Sequence, residues 1–222
     1  MPSLDQAKAS NSSYKFPAGT PVAVFVGGTS GVGEAMARII SNYASGNIDI
    51  VIVGRNRDAA EKTFASLPRP NGADGNPVLR EFVACDASLM KNIKVACDEL
   101  KSKLRKINYL VLSLGYLQFT KRDETEEGMD KMLVMRYYCR FKYITELMPL
   151  LESAKAANED TSVLSILAPT PSNGAKVRLE DMDLKKSYST FKCITATSVY
   201  NDIMIEARIF LKFPCSFVLT FA

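Results

Sequence analysis

The chain has 222 residues, 28 lysines and arginines against 24 acids for a net charge of +4, and no histidine. Its basic residues are interleaved with acids and it has no apolar run long enough for a bilayer, which argues against nucleic-acid and membrane partners. The missing histidine removes Ser–His–Asp and Cys–His nucleophiles and every His-ligated metal, so no metal site is expected and any chemistry falls to tyrosine, lysine, arginine, carboxylate or a bound cofactor.

Residues 1–20 are polar and lack the apolar centre of a secretory signal, and read as a lead-in. Five scattered cysteines with no C-x-x-C read as reduced thiols in the cytoplasm. Residues 21–222 read as a single domain.

The spacing predicts a first strand over 21–27 that passes through four glycines in the seven residues Gly27–Gly33 into a helix over 31–44. A strand, a glycine-rich turn and a helix form the local grammar of a dinucleotide site, because a helix start presents unpaired N–H groups and a positive dipole end to phosphate. The candidate phosphate residues are Gly27, Thr29, Ser30, Gly31, Val32 and Gly33. A β-branched run over 48–53 predicts the second strand, ending at Gly54, and 59–67 reads as a helix. Strands follow over 79–85 and 107–114, with an amphipathic helix over 90–106 between them. A long helix is expected over 126–157, with Met129, Leu133, Tyr137 and Phe141 on one side. A fifth strand over 162–167, a loop holding Pro169, Pro171 and Gly174, a helix over 190–212 and a sixth strand over 215–221 complete the chain. Strands alternating with helices of this length predict a doubly wound, Rossmann-type three-layer α/β sandwich on a mainly parallel sheet of about six strands.

Arg55 follows the second strand, 22 residues beyond Gly33. A carboxylate there would bind the ribose hydroxyls of NAD, whereas arginine pairs with a 2′-phosphate, so NADP(H) is the expected cofactor. The other reading of Arg55 is a solvated surface arginine. Asp86 ends the third strand at the expected adenine position, or serves as a helix N-cap.

Taken together these motifs resemble the short-chain dehydrogenase/reductase family over nearly all of the chain from residue 20. Val26–Gly33 matches the family's T-G-x3-G-x-G with valine for threonine, and Cys85-Asp86 matches its aspartate after the third strand. Leu112-Ser113-Leu114-Gly115 keeps only the glycine of Asn-Asn-Ala-Gly, which adds Gly115 to the cofactor set. Leu179–Tyr188 resembles the acidic loop of retinol-dehydrogenase-like branches, and Thr125–Leu151 resembles fungal branches associated with secondary metabolism. The resemblance implies an NADP-dependent oxidoreductase acting on a carbonyl or alcohol of a small-molecule substrate, commonly as a homo-oligomer.

The family's Asn, Ser, Tyr and Lys are not retained in the favoured register, where they fall on Arg136, Leu167–Ala168, Ile194 and Ser198. A second register places Tyr-x3-Lys on Tyr188 and Lys192, the candidate catalytic pair. Tyr200 has Met204 in its would-be lysine position, and Ser165 reads as a core-strand serine. The chain stops at Phe221-Ala222, before the family's last strand. Two alternatives therefore stand beside the oxidoreductase: an NADP(H)-binding protein without redox activity, acting as a non-redox catalyst or a regulatory partner, and a truncated inactive product.

Overall fold

The computed structural model describes residues 3–16, 19–70, 77–167, 177–210 and 216–221, with side chains to Ala207. Six strands, β1 (Val22–Val26), β2 (Asp49–Gly54), β3 (Arg80–Ala84), β4 (Tyr109–Leu112), β5 (Ser162–Leu167) and β6 (Ser216–Phe221), form one sheet in the order β3-β2-β1-β4-β5-β6. Every pairing is parallel, with Val24 of β1 opposite Val51 of β2 and Leu110 of β4. The chain order reverses between β1 and β4, which opens a crevice beyond the carboxyl ends of the strands. The loop residues Pro169, Pro171 and Gly174 lie outside the described residues, as do Ala168 and Cys215.

Strand periodicity divides the core. Val22, Val24 and Val26 face one layer, which holds Ile93, Cys97 and Leu100 of α4 (Met90–Lys103) and Tyr143 and Leu147 of α6 (Cys139–Ala156). Ala23 and Phe25 face the other, with Ala37 of α2 (Gly31–Tyr43) and Ala60 of α3 (Arg57–Ser66). All five β1 residues are buried, the continuous apolar pattern of a strand covered on both faces. Each large aliphatic or aromatic side chain buried this way contributes about 1.5–3 kcal/mol.

The lead-in carries a helix of its own, α1 (Leu4–Ser13), whose capping box pairs Ser3 with Gln6. Beyond it the Tyr14 hydroxyl donates to Asp160 at 2.9 Å and meets the Tyr109 hydroxyl at 2.8 Å, while Phe16 packs edge-on against Tyr109. This attaches the lead-in at the amino ends of β4 and β5, opposite the crevice.

The helix expected over 126–157 begins instead at Lys131. Glu124 and Asp130 form an antiparallel bridge around Gly128, which has φ +76°. Asp130 is fully buried and caps the new start by accepting from Leu133 N at 3.1 Å. Glu127, one of the acids that suggested an earlier start, accepts from Met90 N and Lys91 N at 2.6 and 3.0 Å. It thereby caps α4, whose own N-cap residue is Leu89 and has no side-chain bond to offer. The helix then runs through α5 (Lys131–Leu133) and a π-turn over Val134–Tyr138 into α6. The extra residue in that turn rotates the following face. Phe141 still touches Tyr137, at 6.2 Å between rings, but is 43% exposed, and Arg140 and Tyr143 take the buried positions. The last helix, α7 (Thr190–Phe210), packs on α5 and the π-turn through Cys193, Ala196 and Tyr200. Among the described residues no helix is long and apolar enough to cross a membrane, and no group of three or more cysteines and acids is placed to hold a metal.

Candidate functional site

The crevice contains a cleft of about 370 Å³ between the turn after β1, the end of β2, the turn after β3 and the segment after β4. Gly27 has φ +93°, a region that favours glycine, and its N–H donates to Val53 O at 2.9 Å. A Cβ on Gly33 would run into Ser113 Oγ and lie 2.7 Å from Gly27 O. Gly33 therefore lets α2 begin hard against β1 and β4. Ser30 is the N-cap but its hydroxyl makes no capping bond, so the first N–H groups of α2 remain open at the cleft.

Of the residues proposed for the nucleotide, Gly27, Thr29, Ser30, Gly31 and Val32 line the α2 end of this cleft. Arg55, Asp86 and Gly115 line its flanks, whereas Gly33 is buried behind the wall as a packing residue. Arg55 is exposed, and it also borders a shallower recess formed with Thr29, Ser30 and Asn56. Its neighbours have other work. Asn56 caps α3 by accepting from Ala59 N at 3.0 Å, and Arg57 lies 4.9 Å over the Phe82 ring and 3.6 Å from Glu61. Asp86 does not cap α4; its carboxylate accepts from Ser88 N at 3.0 Å in the turn before that helix.

Two contributors are not among the candidate residues read from the sequence. Ser113 donates to Gly27 O at 3.1 Å and fills the space that a side chain on Gly33 would need. Tyr143 reaches from α6 to donate to Cys85 Sγ at 3.2 Å, and both line the cleft. Burial drives the Tyr143 phenol well above its ordinary pKa and raises the Cys85 thiol, so both stay neutral at physiological pH.

The positions matched to the family's catalytic groups are occupied differently. Arg136 lies in the π-turn, donates from Nε to Thr197 Oγ1 at 3.1 Å, and gives its carbonyl to Asn201 Nδ2 at 3.0 Å. Burial lowers the Arg136 pKa, and no carboxylate contributes to the shift. Leu167 is buried at the end of β5, and the Ser198 hydroxyl turns back onto Ile194 O at 3.0 Å. Ser165 is 3% exposed and accepts from Arg140 Nη1 at 2.9 Å inside the core.

Tyr188 precedes α7, so the helical geometry that would align it with Lys192 does not apply. Its hydroxyl points to Met132 Sδ at 3.7 Å, and burial, then the Asp130 charge, raises its pKa. Lys192 is exposed on the first turn of α7, and neither residue lines the cleft. Tyr200 donates to Met182 O at 2.8 Å.

Residues 21–166 match the short chain dehydrogenase family. The chain belongs to that family. An oxidoreductase of Emericella variicolor, andH, is 36% identical over 205 residues, covering 90% of this chain and 57% of that protein. An oxidoreductase of Emericella nidulans is 33% identical, with the same 90% and 57% coverage. The chain thus spans little more than half the length of these relatives. Among solved structures, an alcohol dehydrogenase of Thermococcus sibiricus complexed with 5-hydroxy-NADP superposes with a TM-score of 0.63 at 15% identity, over 90% of this chain and 74% of that one. A metagenomic short-chain oxidoreductase in complex with NADP gives 0.62 at 17% identity, over 90% and 81%. At such identities these structures speak for the fold. The strand–turn–helix reading at Gly27–Gly33, the parallel doubly wound sheet and the family resemblance are all borne out.

Proposed function

We propose that the protein is an NADP(H)-dependent short-chain oxidoreductase that acts on a carbonyl or alcohol of a small metabolite. The observation that carries this reading is Arg55, exposed at the end of β2 and bordering the same cleft as the open N-terminus of α2. The cradle fits a dinucleotide: Gly27 and Gly33 hold the turn tight on Ser113, and the first N–H groups of α2 face the place of the pyrophosphate. Arg55 would pair with the 2′-phosphate that distinguishes NADP from NAD. Asp86 and Gly115 would border the adenosine and the far ribose. When bound, the nicotinamide supplies or accepts the hydride. In this reading Tyr188 exchanges the proton with the substrate oxygen and Lys192 provides the neighbouring positive charge. The likeness to oxidoreductases of Emericella supports fungal secondary metabolism as the setting. The four described cysteines, all free and buried, support a reducing, cytoplasmic one.

A second reading is favoured by the geometry around the π-turn. Arg136 stands in the place of the family's asparagine, Tyr188 and Lys192 lie away from the cleft, and the Tyr188 phenol is raised rather than lowered. On that reading the protein binds NADP(H) without hydride transfer.

Fluorescence titration with NADPH and NADH, on the wild type and Arg55→Ala, tests the shared part. The expectation is NADPH bound at least tenfold more tightly, with that preference removed by Arg55→Ala; equal affinities in the wild type would refute the Arg55 argument. Following NADPH absorbance with a panel of ketones and aldehydes then separates the two readings. Consumption that falls at least a hundredfold in Tyr188→Phe supports the first, and binding without consumption supports the second.

A further inference from the structure

Arg140 is one of the largest fully buried side chains, at 2% exposure, and it lies beneath the β4–β5 side of the cleft. Its Nη1 donates to Leu112 O at 2.8 Å and to Ser165 Oγ at 2.9 Å, and its Nη2 donates to Leu114 O. Leu112 and Ser165 are register partners across β4 and β5, and the guanidinium bridges them. Ser113 and Ile166, the next residues outward, line the cleft itself, as does Leu114. Nε is buried with no hydrogen-bond partner. The groups that act on this charge are the Cys139 thiol and a second cation, Arg136, and no carboxylate is among them. Burial pulls the guanidinium down to about 10, which still leaves it charged at neutral pH. A positive charge held by two carbonyls and a serine hydroxyl, and not cancelled by an anion, therefore stands under one end of the cleft.

That end has a consequence if the cleft takes the nucleotide as proposed above, a reading on which this inference rests. With the phosphates over α2 and the adenosine over β2 and β3, the other half of a dinucleotide extends across the switch point toward β4 and β5. The two redox states of the nicotinamide ring differ by one unit of positive charge, the oxidised ring being cationic and the reduced ring neutral. We infer that Arg140 discriminates between them, so that the protein holds NADPH more tightly than NADP+ and releases the oxidised nucleotide more readily. In an interior of effective dielectric about 20, two like charges within about 10 Å repel enough to shift a binding ratio roughly tenfold.

The test compares dissociation constants for NADPH and NADP+ by titration calorimetry in four proteins. In the wild type NADPH is expected to bind about tenfold more tightly than NADP+. Arg140→Lys keeps a charge there and is expected to keep most of that ratio. Arg140→Gln, which retains donors but loses the charge, is expected to bring the ratio close to one, chiefly by tightening NADP+. Ser165→Asp places an anion against Nη1 and should narrow the ratio with the arginine still in place, which provides an answer should Arg140→Gln fail to fold. Equal affinities in the wild type, or an unchanged preference in both Arg140→Gln and Ser165→Asp, would overturn the inference while leaving nucleotide binding intact. Failure of all four proteins to bind either nucleotide would overturn the nucleotide reading and this inference with it.

Discussion

Gly33 lies so close to Ser113 that the serine hydroxyl occupies the volume a β-carbon on Gly33 would take, while the same hydroxyl donates to Gly27 O at 3.1 Å. One side chain from the end of β4 thus fixes the distance between the start of α2 and the turn after β1. Gly33→Ala is expected to destabilise the protein by about 1–3 kcal/mol, the ordinary cost of overpacking a buried contact. Adding Ser113→Ala should recover only part of that, because Gly27 O would still be 2.7 Å from the new β-carbon. Urea denaturation of the two variants checks both statements; full recovery in the double variant would show that the backbone gives way.

Glu127 illustrates a cap supplied from elsewhere in the chain. Its carboxylate accepts from the first two N–H groups of α4, 37 and 36 residues away in sequence. Glu127→Ala is expected to cost about 0.5–2 kcal/mol, the range of helix N-caps, and Glu127→Gln about half of that since one acceptor remains. Chemical denaturation measures the loss. Hydrogen exchange should place it in the first turn of α4, and a loss spread evenly over the protein would count against local capping.

The legible parts of this chain are those with a local cause. Val22–Gly33 announces itself because an apolar run, glycines and a helix start all lie within one short stretch. Phe141 keeps its contact with Tyr137, but a π-turn adds a residue to the helical period that nothing in the sequence of 126–157 marks, and Met129 lies before the helix altogether. The early helix start failed for a related reason: Glu127 satisfies a distant helix, a pairing that exists only in three dimensions. Arg140 carried no motif at all. An arginine on a helix reads as solvated, and only the carbonyls of Leu112 and Leu114 meeting it in the core reveal its burial. The β1–α2 half is written in local geometry, whereas the β4–β5 half is written in contacts between distant segments.

The thiols of Cys97, Cys139 and Cys193 are each pushed up to about 12, chiefly by burial, and Cys85 is also raised. Thiolate is the reactive form, so at pH 8 all four are expected to resist iodoacetamide in the folded protein and to react once it is unfolded in guanidinium. Peptide mass mapping reads each site separately. Rapid labelling of Cys85, which lines the cleft, with the other three protected would mean that the cleft opens more widely than its geometry here. Protection of Cys85 that increases with added NADPH would in turn locate the nucleotide beside it.

Glu146 offers a pH test with a definite sign. Hydrogen bonds from Lys142 at 2.8 Å and Lys101 at 3.1 Å hold its carboxyl below its ordinary value, with burial opposing them. A carboxylate whose pKa is lower folded than unfolded stabilises the protein fully above its unfolded pKa, and that contribution is lost as pH falls toward the folded value. Wild type should therefore be more stable than Glu146→Gln at pH 7, and the gap should begin to close below about pH 4.5. Its size at neutral pH is expected to be modest, about 1 kcal/mol or less, because the lysine partners are solvent-accessible. Thermal melts of both proteins between about pH 3 and pH 7 check the trend. A gap that stays constant across that range would mean that the lysines bind Glu146 no better folded than unfolded, and that the glutamine loses its stability through packing alone.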